Sequence, residues 1–188
     1  MLIENPFPTL ETERLILRPM ELKDLEFIFR HFSDPQVNQY LYDNPPIKDH
    51  AEAQQIIDFY VDGANNSHNR WILERKSDRK PLGTCGFHRW EQRYFRTEIG
   101  YDLSPEFWRQ GYMSEALMAA FRYGFSEMGL NRIDALVYVG NEGSLKLLKK
   151  LGFQQEGILR DYFCQNEIFY DHALLSLLQK ESYFGAKK

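Results

Sequence analysis

The segment from Glu98 to Phe153 constrains the fold more than any other part of the chain. Its pattern predicts a strand ending at Leu103, a turn at Gly111, a long helix, a second strand and a short helix that Asn141 opens. This order places the free N-terminus of a helix beside the end of a strand, where phosphate groups bind well. The strand ahead of the turn can hold an extended, amide-bearing arm. The segment therefore predicts a site for a long molecule with a pyrophosphate in its middle.

Strand and helix patterns alternate along all 188 residues. The predicted strands cover residues 13–18, 70–75, 82–90, 97–103, 133–139, 153–160 and 168–178, and helices are predicted near 21–33, 49–62 and 112–128 and from 141. The strand 133–139 carries no charge between Ala135 and Gly140, which favours a central position. Neither a repeat nor an interdomain linker is visible. We therefore predict one mixed α/β domain over residues 1–188, with a core at about 10–180 and a loose tail at 182–188.

Composition excludes several classes of protein. The net charge of −4 provides no overall basic field, so direct nucleic-acid binding is not expected. The two cysteines and five histidines follow no metal-binding spacing, so no metal is expected. No apolar run approaches the roughly 20 residues of a membrane span, and residues 1–13 lack the apolar stretch of a signal peptide. We expect a cytoplasmic protein that does not bind membranes.

The turn from Trp108 to Ser114 is the first candidate site. Gly111 permits a tight backbone path, after which the N–H groups of the following helix can point at an anion. It is neither a Walker loop nor a G-x-G-x-x-G fingerprint. Taken alone it is best interpreted as an ordinary turn. The strand end at Tyr101 to Leu103 just upstream makes the anion-binding interpretation the stronger one.

Four motifs stand in a fixed order along this region. They are Glu98-Ile99-Gly100-Tyr101, the stretch Trp108 to Ala116, the stretch Asn141 to Ser144, and the stretch Leu151 to Gly157. The chain also opens with Thr12-Glu13-Arg14-Leu15-Ile16-Leu17-Arg18 and continues with Ser33-Asp34-Pro35. In these motifs the chain resembles the Gcn5-related N-acetyltransferases (GNAT), and specifically their RimJ/RimL branch. Trp108 and Met113 depart from the general superfamily turn, but both leave the backbone amides available.

The resemblance implies a mixed, mostly antiparallel sheet splayed in its middle, with helices on both faces and acetyl-CoA in the opening. The pantetheine arm would pair with the backbone of Tyr101, Asp102 and Leu103. The pyrophosphate would lie on the turn formed by Arg109, Gln110, Gly111, Tyr112, Met113 and Ser114. Asn141 is predicted as the N-cap of its helix, and the resemblance adds a role in holding the cofactor arm.

Two catalytic residues are predicted, Ser144 from the resemblance and Glu98 from its place on the strand next to the cofactor arm. Ser144 matches the serine proposed to donate a proton to the departing CoA thiolate, although an exposed helix serine is the plainer interpretation. Glu98 is the candidate general base, and a solvated carboxylate at the strand is nearly as good an interpretation. Relatives that acetylate ribosomal proteins have a second glutamate after the LGF motif. That position is Phe163 here, with Asp161 close by, which weakens direct transfer of their mechanism.

The predicted function is transfer of an acetyl group from acetyl-CoA directly to a primary amine. The acceptor expected from the resemblance is a protein N-terminal α-amine, such as that of a ribosomal protein. A small amine such as a polyamine, an amino acid or an aminoglycoside is the alternative. From other classes, a CoA-binding sensor without turnover and a nucleotide-binding protein of another fold stay open. Either a monomer or a homodimer is compatible with the sequence.

Overall fold

In the described part of the chain, eight strands form one sheet in the order β1-β2-β3-β4-β5-β6-β8-β7. The computed structural model describes residues 7–61 and 67–184. The strands are β1 (Leu10–Glu11), β2 (Leu15–Pro19), β3 (Trp71–Arg75), β4 (Pro81–Glu91), β5 (Arg96–Leu103), β6 (Arg132–Tyr138), β7 (Gln154–Gln165) and β8 (Ile168–Leu178). Every neighbouring pair is antiparallel except β5 and β6, which are parallel. The mixed, mostly antiparallel sheet implied by the resemblance is confirmed, and β6 is an interior strand as predicted.

Helices cover both faces of this sheet. They are α1 (Leu25–Ser33), α2 (Pro35–Asn38), α3 (His50–Val61), α4 (Tyr112–Ser126) and α5 (Glu142–Lys150). Trp71 and Leu73 join the core formed with α4 and α5, whereas Ile72 joins the core formed with α1 and α3. Because consecutive strand residues point to opposite faces, the two cores lie on opposite sides of the sheet. Below, these sides are the α4 face and the α1 face.

The sheet opens between β5 and β6. These strands pair only from Arg96↔Arg132 to Glu98↔Asp134. Beyond this point β5 continues along β4 and β6 continues along β8, so a gap separates them. Ser104 N–H donates to Leu82 O at 2.9 Å, and the alternation of an antiparallel ladder then turns the backbone groups of Tyr101 and Leu103 away from β4. These groups face the gap, which is the predicted splay.

Several elements differ from the prediction, which did not include β1. Residues 22–24 form a 3-10 turn before α1. Pro35, expected to end the first helix, instead opens α2, because Asp34 Oδ1 accepts the Gln36 N–H at 2.7 Å and a proline is tolerated in the first helical turn. β7 extends to Gln165, past the predicted end at residue 160.

The described part of the predicted tail contacts the rest of the chain. Phe184 packs against the α4-face core and the Arg122 guanidinium lies 5.6 Å from its ring centroid. Residues 185–188 lie outside the described residues, as do residues 62–66, which include the end of the predicted helix at 49–62. In the described ranges, no helix is long and apolar enough to cross a membrane.

Candidate active site

The turn before α4 exposes a row of backbone N–H groups. Arg109 has a φ of 60° and Gly111, the N-cap, a φ of 82°. Both values are left-handed, and glycine adopts them at little cost. Glu115 N–H makes the first bond back into the helix, to Gly111 O at 3.1 Å. The N–H groups of Tyr112 to Ser114 therefore lack intrahelical acceptors and form, with Gly111, a cradle suited to an anion.

Asn141 opens α5 as the sequence predicts. Its Oδ1 accepts the Ser144 N–H at 3.1 Å, which satisfies one of the free donors of the first turn. The cap fixes the first turn of α5 opposite β5. Ser144 is therefore held where its hydroxyl can meet a side chain from that strand.

Tyr101 supplies that side chain. The hydroxyl groups of Tyr101 and Ser144 are hydrogen-bonded at 2.6 Å, and either atom can be the donor. Burial raises the pKa of Tyr101 well above its ordinary value, so the phenol keeps its proton at neutral pH. Sequence reasoning assigned Tyr101 only a backbone role and missed this contact. The sequence feature that points to this contact is the alternation of β5, which places Tyr101 with Ile99 on the α4 face.

Glu98 lies on the opposite, α1 face of β5. Its side chain is 26% exposed, and Arg89 Nη1 donates to its Oε2 at 3.4 Å. Burial raises the pKa of Glu98, and the negative charges of Asp134 and Asp43 raise it further, whereas Arg89 lowers it. A carboxyl group whose pKa lies above its ordinary range is better matched to accepting protons near neutral pH.

A cleft of about 230 Å³ surrounds this carboxylate. It is lined by Arg89, Glu91, Arg96, Thr97, Glu98, Asp134, Leu136, Leu159, Tyr162 and Leu174. Asp134 is the register partner of Glu98 in the last rung before β5 and β6 part. Arg132 Nε lies 2.6 Å from its Oδ1, yet burial raises the pKa of Asp134. Sequence reasoning missed Asp134, because the sequence of neither strand specifies the parallel register of β5 and β6.

Aromatic side chains of the loop after α2 and of β6, β7 and β8 form a cluster. Tyr42 stacks on Tyr170 with ring centroids 3.8 Å apart and an angle of 9°, and Tyr138 contacts both edge-on. Phe163 packs on His172 with ring centroids 4.8 Å apart. These rings join the loop after α2 to β6, β7 and β8.

Asp102 has a buried side chain with several partners. Its Oδ1 lies 2.6 Å from His31 Nε2 on α1, and its carboxylate also accepts from Arg70 and from Thr84 Oγ1. Asp102 therefore ties α1 to β5 through its side chain. The cofactor role predicted for Asp102 concerns its backbone, but the alternation that turns Tyr101 and Leu103 toward the gap points the N–H and C=O of Asp102 to Thr84 on β4.

The described residues contain no group of three or more His, Cys, Asp or Glu side chains arranged to hold a metal ion. Cys85 is buried in β4, and burial raises the pKa of its thiol. Neither the buried Cys85 nor the exposed Cys164 lines the cleft.

Residues 14–154 match the family described as the acetyltransferase (GNAT) domain, and this match covers the gap, the turn and α5. The chain belongs to the GNAT family. It is 41% identical over 174 residues to the uncharacterized N-acetyltransferase YoaA of Bacillus subtilis, covering 92% of this chain and 98% of that protein. YdaF of Bacillus subtilis, which carries the provisional name ribosomal N-acetyltransferase, is 34% identical over 174 residues and covers 90% of this chain and 93% of its own.

Solved GNAT structures share the fold. The acetyltransferase from Bacillus anthracis superposes with a TM-score of 0.82 at 25% identity, covering 92% of this GNAT chain and 99% of its own. Spermidine N-acetyltransferase from Vibrio cholerae, in complex with CoA and spermine, gives a TM-score of 0.79 at 23% identity, covering 90% and 98%. The chain is thus a GNAT-family N-acetyltransferase, and acetyl-CoA is the acetyl donor of its family.

Proposed function

We propose that this GNAT enzyme acetylates a protein N-terminal α-amine, as the RimJ/RimL branch does, by direct transfer within a ternary complex. The observation that supports it is the gap between β5 and β6. Glu98 lies on the α1 face and the Tyr101–Ser144 pair on the α4 face. Because the strands part immediately after Glu98, an amine on one face can reach an acetyl group on the other.

Acetyl-CoA fits the residues on the α4 face. The backbone groups of Tyr101 and Leu103 face the gap and can pair with an amide-bearing arm, although Leu103 O also accepts from Trp108 Nε1 at 2.7 Å. The N–H groups from Gly111 to Ser114 can receive the pyrophosphate. When bound there, acetyl-CoA supplies an acetyl thioester. In this proposal the protein orients that group and moves protons around it.

Glu98 acts as the general base, directly or through one water. An α-amino group has a pKa near 7.7–8.0, so about a tenth of it is neutral at pH 7, whereas a lysine near 10.4 costs about 3 kcal/mol more to deprotonate. A carboxylate with a raised pKa is therefore sufficient for an N-terminal amine. Asp134 and Asp43 keep the field near Glu98 negative, which attracts the protonated amine before it loses its proton.

Ser144 acts as the acid on the opposite face. As the carbon–sulfur bond breaks, Ser144 Oγ–H donates its proton to the departing sulfur. Tyr101, whose phenol remains protonated, donates a hydrogen bond to Ser144 Oγ over 2.6 Å and stabilises the negative charge left there until Ser144 regains a proton from solvent. The two hydroxyl groups thus form a hydrogen-bonded pair beside the gap.

A small amine is the second candidate acceptor. The carboxylates of Glu98, Asp134 and Asp43 lie near one another and would favour a cation, and the Vibrio cholerae structure named above was solved with spermine. The provisional name of YdaF, ribosomal N-acetyltransferase, at the higher identity of 34%, supports a ribosomal acceptor.

A panel of acceptors tests the proposal. CoA-thiol release from acetyl-CoA is measured with N-terminal Ala-, Ser- and Met-peptides, a blocked-terminus lysine peptide, spermidine and an aminoglycoside. Release with free-terminus peptides alone is expected, and release with spermidine alone would select the small-amine function. CoA binding without any turnover would instead favour the non-catalytic sensor.

Two variants test the catalytic roles. Ser144→Ala is expected to lower kcat by about 100-fold or more while CoA-induced thermal stabilisation persists. Glu98→Gln is expected to remove the acid limb of the pH–rate profile. Wild-type turnover by Ser144→Ala, or an unchanged profile for Glu98→Gln, would contradict the assigned role.

A further inference from the structure

Arg14 lies immediately before β2 and contacts the turn that opens α4. Its backbone N–H donates to Glu115 Oε1 at 2.8 Å and its Nε donates to Glu115 Oε2 at 2.7 Å. Thr12 Oγ1 donates to the same Oε1 at 2.5 Å. Both carboxylate oxygens of Glu115 thereby accept hydrogen bonds. These bonds join two motifs that are far apart in the sequence, the opening Thr-Glu-Arg and the Ser-Glu-Ala of α4.

The guanidinium of Arg14 also holds one peptide group of the turn. Nη1 donates to Gln110 O at 3.1 Å. In a trans peptide the C=O and the following N–H point in opposite directions. Fixing Gln110 O toward Arg14 therefore points Gly111 N–H away from Arg14. The hydrogen bond to Arg14 thus fixes the direction of both the C=O and the N–H of this peptide group.

The guanidinium also lies against the turn. Its central carbon lies 4.4 Å from the centroid of the Tyr112 ring. Nη2 lies 3.4 Å from the position that a Cβ on Gly111 would take. The side chain of Arg14 is 42% exposed, so these contacts rather than burial hold it in place.

This peptide needs a restraint because a glycine follows it. Gly111 accesses both signs of φ at similar cost, so the Gln110–Gly111 peptide can turn over without a steric barrier from Cβ. In the turned-over state the Gln110 carbonyl oxygen, rather than the Gly111 N–H, would face an anion in the cradle. One attractive hydrogen bond would be replaced by a repulsion.

We propose that Arg14 is a positioning residue that holds the Gln110–Gly111 peptide in the orientation that binds the pyrophosphate of acetyl-CoA. The inference rests on the proposed acetyl-CoA site. Arg14 acts through the peptide group, so its effect is confined to ligands that contain the pyrophosphate. Pantetheine, which lacks it, is the discriminating probe.

The test compares Arg14→Met with wild type and with the control Arg30→Met. Arg30 is an exposed arginine on α1 that pairs with Glu26, so the control makes the same chemical change away from the turn. The dissociation constant of CoA is measured by calorimetry and that of pantetheine by ligand-observed NMR titration. Arg14→Met is expected to weaken CoA about ten- to a hundred-fold, the size of one hydrogen bond to a charged group, and pantetheine by less than about two-fold. The control is expected to change neither.

Arg14→Lys separates geometry from charge. A lysine keeps the charge but cannot contact Glu115 and Gln110 O through one planar fork, so the loss of CoA affinity is expected to persist. This variant also provides the measurement if Arg14→Met does not fold. Wild-type CoA affinity in Arg14→Lys would overturn the role of peptide orientation, as would equal losses for CoA and pantetheine. Failure of the wild type to bind CoA would overturn the proposed function itself.

Discussion

Replacement of Asp102 by alanine is predicted to destabilise the protein strongly without acting on the cofactor site directly. Its side chain is 3% exposed, and it accepts from His31 Nε2 at 2.6 Å, from Thr84 Oγ1 at 2.8 Å and from Arg70. Burial acts to raise the pKa of Asp102, but Arg70, His31 and Thr84 outweigh burial and hold it well below its ordinary value. The ionised carboxylate is therefore the form that the folded protein stabilises.

The magnitude follows from what the variant leaves behind. Arg70 has a side chain that is only 15% exposed, and without Asp102 its charge is buried beside the polar groups of His31 and Thr84. Removing one partner of a buried ion pair costs about 3–5 kcal/mol. For a chain of this size each kcal/mol lowers Tm by about 2–4 °C, so the expected decrease is about 6–20 °C.

Thermal unfolding at several pH values measures this effect. Because the folded-state pKa of Asp102 is depressed, its stabilisation is complete above the ordinary carboxyl pKa of about 3.9 and is lost as the pH falls below it. The difference in Tm between wild type and variant should therefore be largest at pH 7 and smaller in acid. The control is Asp78→Ala, which breaks an exposed pair with Arg75 and should lower Tm only slightly. Equal Tm values for wild type and Asp102→Ala at pH 7, or a difference that grows in acid, would refute the assignment.

Three further predictions concern the reaction and the core. Asp134→Asn should lower the pKa of Glu98 and move the acid limb of the pH–rate profile to lower pH, whereas Arg89→Gln should move it to higher pH; shifts in the same direction would contradict Glu98 as the base. Tyr101→Phe should lower kcat about tenfold or more and leave the CoA dissociation constant within about two-fold, since only the hydrogen bond to Ser144 is removed. Phe121→Ala, at a fully buried position on α4, should cost about 3–5 kcal/mol in urea unfolding, and a loss below about 1 kcal/mol would place Phe121 outside the core.

The sequence by itself determined the local parts of the candidate site. The glycine turn at Gly111, the N-cap at Asn141 and the alternation of β5 all follow from residues within a few positions of one another. Backbone conformation, capping and strand alternation depend on such neighbours. The ordered motifs also indicated the GNAT family correctly, and with it a sheet that opens in its middle.

Tertiary structure decided which distant residues meet. Asp134 becomes the neighbour of Glu98 because β5 and β6 are parallel in one register, and Tyr101 reaches Ser144 because α5 packs across the gap. Arg14 reaches Gln110 and Glu115 because β2 lies beside the start of α4. No pattern within a single element specifies such contacts. These long-range contacts depend on strand register and on side-chain packing. The free energy of both is determined by the whole core.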